Sequence, residues 1–300
     1  MDLFHSSYSS FKVECHVFKT FASISLVALS LTLPSIALAE DVADKAEIGN
    51  HQKGSWYAFW GWNRGSYSDS DVRFEGDDYD FTIKNMSASD RPTAIGIDPY
   101  LNPLDMTLPQ TNFKVGYFIE DNYAISFGVD HMKYVMDQEQ TALVDGYINV
   151  GSQHDGIYDN QAVYLGQTDA AGDVTFLAFE HSDGLNYGNI EISHFDEIYA
   201  FTPDFKFNRN IGVGVGFLLP KTNAKLLQNE RNDAFHLAGW GAHIKGGLEL
   251  SYGKYFFRSE VKLGYINMPD IRTTQFSSDT ASQDFTFAEW NFLFGRYFSF

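Results

Sequence analysis

The chain has 300 residues, a formal charge of −18 and an aromatic content of 16%. So acidic a surface excludes a nucleic-acid partner, whose phosphates demand basic residues. It also excludes simple electrostatic attraction to anionic headgroups unless divalent cations bridge the two.

In chain order, Lys12 and Lys19 precede an apolar run from Phe21 to Ala39, which ends in Ala37-Leu38-Ala39 before Glu40 and Asp41. A basic stretch, an apolar stretch and a small-x-small exit predict a secretory signal over 1–39, cleaved after Ala39. The alternative is an uncleaved membrane anchor, against which Pro34 and the small-residue exit argue. Beyond this segment nothing approaches the roughly 18–20 apolar residues of a spanning helix. The sole cysteine, Cys15, leaves with the signal, so packing or closed backbone pairing must do the work that disulfides do in many secreted domains. Residues 40–53 read as a periplasmic N-terminal segment and 54–300 as one barrel domain.

The rest of the chain alternates with period two, as antiparallel strands between two environments do. Strands are predicted near 54–65, 110–120, 122–136, 188–207, 211–222, 235–252, 254–267 and 284–300. The later ones are the clearest. Ile211, Val213, Val215 and Phe217 oppose Gly212, Gly214 and Gly216, a strict period-two glycine series with no following helix, and so no dinucleotide fingerprint. Trp240, Ile244, Leu248 and Leu250 oppose His243, Lys245 and Glu249; Phe257, Val261 and Leu263 oppose Arg258, Glu260 and Lys262. In the last run, Trp290, Phe292, Phe294 and Phe298 oppose Glu289 and Asn291, and Phe300 closes it. These runs exceed the about 5–6 residues of a typical globular strand and reach the about 9–11 that span a bilayer. Charges of both signs on one side of neighbouring strands predict a lumen filled by paired side chains. Aromatics near strand ends fit interfacial girdles.

Short breaks at Glu120-Asp121-Asn122, Asn208-Arg209-Asn210 and Ser251-Tyr252-Gly253-Lys254 are expected to be periplasmic turns. The long polar intervals Gly65–Pro109, Asp137–Tyr187, Thr222–Ala234 and Pro269–Gln283 are expected to be extracellular loops. The fold expected is therefore all-β: an antiparallel up-and-down transmembrane β-barrel of eight strands. Val72–Asn85 also alternates, either as a hairpin arm above the membrane or as spanning strands that would make ten.

These features resemble the small eight-stranded barrels of Gram-negative outer membranes, the OmpA-type and PagL-type group. The resemblance is architectural and covers the whole mature chain. It implies location in the outer membrane, contact with its lipid and lipopolysaccharide, and handling by the barrel-assembly machinery through C-terminal Phe300.

Three groups of residues are candidates for chemistry. Glu180-His181-Ser182-Asp183-Gly184-Leu185-Asn186-Tyr187, ahead of Glu191, loosely resembles the PagL-type active-site segment, which would make His181, Ser182 and Glu191 base, nucleophile and orienting carboxylate of a lipid ester hydrolase. The adjacency of His181 and Ser182 departs from that pattern, because neighbours on a strand point to opposite faces. His131 and His194 could approach each other across the third and fourth strands. Asp77, Asp78 and Asp80, in an acidic loop with Asp69, Asp71 and Glu75, could offer oxygen ligands to Ca2+ without the ligand order of an EF-hand. The leading functional reading is a non-enzymatic surface or adhesion protein with a filled lumen. A lipid A deacylase-like hydrolase and a narrow pore are the alternatives.

Overall fold

The computed structural model describes residues 50–94, 110–182, 184–229, 231–232 and 234–299. The signal segment 1–39, most of the segment 40–53 and Phe300 lie outside them. The described residues form sixteen strands: β1 (Trp56–Tyr67), β2 (Ser70–Gly76), β3 (Tyr79–Met86), β4 (Ala88–Ser89), β5 (Thr111–Glu120), β6 (Tyr123–Met132), β7 (Val135–Met136), β8 (Thr141–Ile148), β9 (Gly156–Tyr164), β10 (Leu177–Glu180), β11 (Leu185–Ala200), β12 (Phe205–Leu218), β13 (Asn223–Leu226), β14 (Gly239–Tyr252), β15 (Tyr255–Arg272) and β16 (Thr280–Phe298).

Eight of these close a ring, β1-β5-β6-β11-β12-β14-β15-β16, and β16 pairs back to β1 from Trp56↔Phe298 to Tyr67↔Phe287. Every ring pairing is antiparallel. Closure leaves no unpaired edge, the condition for strands to cross hydrocarbon. The eight strands are those the alternation predicts, and the ten-strand count is not realised.

The two parities separate as expected. Ile211, Val213, Val215, Ile244, Leu263, Trp290 and Phe294 are exposed on the outer surface, whereas Lys114, Glu191, Lys245, Arg258, Glu260, Lys262 and Glu289 are buried inside. Glycine creates the interior room. A Cβ on Gly214 would stand 2.4 Å from the His243 ring, and one on Gly116 would stand 2.2 Å from the Tyr57 ring. At the turn end, Trp56 packs on Tyr117, Phe201 on Phe205, and the Arg296 guanidinium on Tyr255 and Phe298. This is an interfacial belt in which the one cation of the last strand's apolar series rests on rings.

Two short turns fall where predicted, at Asp121-Asn122 and Gly253-Lys254, with positive φ at Asn122 (67°) and Gly253 (56°). The third does not. The chain reverses at Phe201-Thr202-Pro203-Asp204, where the Phe205 amide donates to Thr202 Oγ1. Asn208 and Asn210 lie within β12, buried in the lumen, where Asn208 donates to Glu249 and Asn210 to Glu260. Their polarity belongs to a filled interior, and Pro203 supplies the break.

The long intervals expected as extracellular loops fold. β15 and β16 run for 18 and 19 residues, longer than a span requires, and their outer ends carry a head. Above the point where β1 leaves β16, β2 takes its place, pairing Val72–Glu75 with Thr280–Gln283. β3, β8 and β9 then extend that sheet. A second sheet, β13-β10-β7-β4, shares its core. Phe74 meets Phe179 edge-on and Phe81 meets Phe176, with centroids 5.5 and 5.8 Å apart. Val72–Asn85 is thus the arm above the membrane, mostly as the hairpin β2–β3.

Candidate functional site

The barrel interior is stacked in three layers. At the turn end, Tyr57, Phe59, Phe118, Phe195, Phe256, Leu293 and Tyr297 form an apolar cluster. The Arg258 guanidinium lies among its rings, 4.7 Å from the Phe256 centroid and 5.0 Å from that of Phe195. It donates through Nε and Nη2 to Glu249 Oε2 at 3.1 and 2.8 Å. Tyr297 Oη and Asn208 Nδ2 also donate to Glu249, at 2.8 and 3.0 Å, and His51 Nε2 lies 3.6 Å from its Oε1. His51 reaches into this layer from the N-terminal segment, its Nε2 2.8 Å from Tyr297 Oη and its ring against Phe118 and Phe195.

The middle layer is ionic, and Glu191 is its hub. Lys114 donates to Glu191 Oε1, Lys245 approaches Oε2 at 2.7 Å, and Lys262 and His243 lie 3.2 and 3.0 Å from Oε1. Lys262 also bonds Asp130 at 2.5 Å, and Lys245 bonds Glu260 at 3.1 Å. Lys245 and Lys262 stand directly opposite across β14 and β15, so a carboxylate between them is what lets two buried cations coexist. Each charge has several partners, as ions removed from water require. The network confirms the cross-strand pairing expected of Lys245, Glu249, Arg258, Glu260 and Lys262. Lys114 and Asp130 join it by parity, which the sequence also carried, since Asn112, Lys114 and Gly116 alternate, as do Ser126, Gly128 and Asp130.

The outer layer is largely apolar, with buried Asn63 and Gln110 bonded to each other at its margin. Met132, Leu185, Leu218, Ile266, Phe285 and Phe287 continue without a break into the head core. Tyr187 joins the two layers, its hydroxyl 3.0 Å from His243 Nδ1.

The proposed hydrolytic residues are not brought together. His181 is fully buried in the head, with Nδ1 3.0 Å from Thr222 Oγ1 and its ring against Tyr134 and Phe179. Its Nε2 is buried with no hydrogen-bond partner. Burial alone pushes its pKa down to about 3, so the ring is neutral, and the hydroxyl at its Nδ1 belongs to Thr222 and not to Ser182. Ser182 Oγ donates instead to Glu180 Oε1 at 2.8 Å. Glu180 is further held by Asn223 and Arg91. Glu191 is committed to the lumen hub. His181 and Ser182 lie in the connection between β10 and β11, where each has its own partner, and the parity of Glu191 on β11 faces it inward; together these account for the separation.

The histidine pair is also apart. On β6–β11, His131 pairs with Asn186 at the outer end and His194 with Tyr123 at the turn end. Asp77 and Asp78 form the exposed turn between β2 and β3. Asp80 accepts two bonds from the Arg73 guanidinium, at 2.8 and 2.7 Å, which holds its carboxyl below the usual range. Its oxygens are therefore engaged by Arg73, and among the described residues no group of three or more His, Cys, Asp or Glu is arranged to hold a metal ion.

No family model and no curated protein matches the chain. Among solved structures it is similar to the outer membrane protein OprG of Pseudomonas aeruginosa, with 10% identity, 83% of this chain and 98% of that one covered, and a TM-score of 0.36. It is similar also to Ail, the attachment invasion locus protein of Yersinia pestis, crystallised with the heparin analogue sucrose octasulfate (6% identity, 82% and 100% covered, TM-score 0.29). Neisserial surface protein A is a third (6% identity, 79% and 98% covered, TM-score 0.27).

Proposed function

We propose that this chain is an outer-membrane protein of a Gram-negative bacterium whose closed barrel anchors a folded head at the cell surface, and that it acts there by contact. The observation that carries this reading is the stacking of the interior. An aromatic layer, an ionic layer and an apolar layer fill the lumen in succession, and the third is continuous with the head core. Eight strands leave an interior just wide enough for side chains, which removes support from the narrow-pore alternative. The hydrolase alternative loses its geometric basis because His181, Ser182 and Glu191 have separate partners. Lipid and lipopolysaccharide would surround the apolar band, and Phe300 would serve barrel assembly.

Two measurements test the proposal. In planar bilayers the folded protein should give no open-pore conductance above leak, and protease added to intact cells should reach the head. Steady conductance would refute the filled lumen. A head accessible only after the outer membrane is permeabilised would refute the surface location.

A further inference from the structure

Among the described residues, the larger sheet ends at β9. β9 pairs with β8 and is the last strand in the order. The inner face of this hairpin gives Val144, Ile148 and Val163 to the head core. The outer face should then be polar, but Tyr147 and Ile157 sit directly opposite each other on it, with Leu143 and Tyr164 nearby. All four are exposed, Ile157 by 86%.

Charge surrounds this apolar row asymmetrically. The hairpin from Thr141 to Tyr164 contains Asp145, Asp155 and Asp159 and no lysine or arginine. On the adjoining strands, Asp80 is the neighbour of Tyr147 and Thr82 that of Asp145. The two cations on that side are already engaged: Arg73 by Asp80 and Glu75 at 2.7 and 3.1 Å, and Lys84 by Asp71 at 3.4 Å. The face therefore presents an aromatic-aliphatic row beside Asp145, Asp155 and Asp159, which no lysine or arginine pairs among the described residues, while Asp80 is already held by Arg73.

β9 also carries a bulge. Val144 pairs with Gln161 and Gly146 with Tyr158, so Asp159 and Asn160 oppose Asp145 alone, with Asn160 at φ 48°. A bulge on an edge strand interrupts the ladder that an added strand would need. Docking by strand addition along the whole edge is disfavoured, and so is pairing with a second copy, which would bring like charges together.

We propose that the outer face of β8–β9 docks a cationic segment of a partner protein, with apolar side chains seated on Tyr147 and Ile157 and basic ones toward Asp145 and Asp159. Small, central aromatic and aliphatic anchors carry most of the energy of such contacts, and the acidic rim speeds encounter and makes it salt-dependent. The inference rests on the surface-contact reading above but is tested without reference to location.

Full-length protein folded in detergent micelles is titrated with a labelled synthetic peptide alternating lysine with valine and tyrosine. A glutamate-for-lysine version and anionic phosphatidylglycerol vesicles serve as competing probes. The lysine peptide should bind, and binding should weaken as salt rises. Ile157→Asp and Tyr147→Ser should each reduce affinity about tenfold or more, with Asp145→Lys reducing it further at low salt. Phe276→Ser, an exposed aromatic of the β15–β16 loop, should leave affinity unchanged, and heat-modifiable electrophoretic mobility reports that each variant is folded. No binding by the lysine peptide, equal binding by the glutamate version, preference for vesicles, or an equal loss in Phe276→Ser would each overturn the proposal. If the head is nevertheless accessible on intact cells, the surface-contact reading survives its failure.

Discussion

Arg258→Met tests how the lumen is held together. Arg258 is fully buried and spends two donors on Glu249 at 3.1 and 2.8 Å. Met fills comparable space among Tyr57, Phe59, Phe195 and Phe256 and makes favourable sulfur–ring contacts, so little of the effect comes from a cavity. What remains is a buried Glu249 carboxylate served by Tyr297 and Asn208, with His51 Nε2 at 3.6 Å. Stranding one member of a buried pair costs about 3–5 kcal/mol. Glu249→Gln strands the guanidinium and should cost a similar amount, while keeping an acceptor for Tyr297 and Asn208. The double variant strands neither charge, so its cost should fall short of the sum of the singles by about 2–3 kcal/mol, the coupling expected of contacting residues. Urea unfolding of the protein in phosphatidylcholine vesicles, followed by tryptophan fluorescence and by heat-modifiable mobility, measures all four forms. If the double variant loses as much as the two singles combined, the reasoning fails, because the two groups would then act independently.

Other perturbations should behave as follows. Gly214→Ala places a Cβ 2.4 Å from the His243 ring and 2.8 Å from Glu191 Cγ; overpacking of this kind costs about 1–3 kcal/mol, seen as a lower urea midpoint at unchanged slope. His181 has a pKa of about 3 in the folded head against 6.5 for an ordinary histidine. The unfolded state therefore binds the extra proton, and stability falls as pH drops below about 6.5 and continues to fall until about 3. At pH 4.5 the loss from this group is about 3 kcal/mol, or roughly a hundredfold more head opening by amide exchange; His181→Leu should abolish that part of the pH dependence, and an identical profile in the variant would count against it. Asp80→Asn breaks an exposed pair with Arg73 and should change stability by less than about 1 kcal/mol. Added Ca2+ should leave the thermal midpoint of wild type unmoved, whereas a rise of several degrees would show that the Asp77-Asp78-Asp80 turn does take the ion.

How much was legible in the sequence follows from the range of each signal. Alternation is local: Ile211 to Phe217 against Gly212 to Gly216 determines strand and face from neighbours alone, because a strand's side-chain period is two whatever pairs with it. Eight such runs of spanning length determined the barrel, and their polar parity determined that its interior would hold paired charge. Partner identity is not local. Glu191 meets Lys114, Lys245 and Lys262 only because β5, β14 and β15 bring them around one axis, so the same residue read alone passed for an orienting carboxylate. Asn208 and Asn210 read as a turn because polarity in a lumen and polarity in a loop look alike along the chain. The head shows the same limit. Val72, Phe74, Phe81 and Ile83 carry an alternation that the sequence displayed, but their cover, Phe176 and Phe179, lies about a hundred residues further along. Only the closed tertiary structure decided that the intervals between spanning strands would bury a core of their own, because burial is a property of what a face packs against.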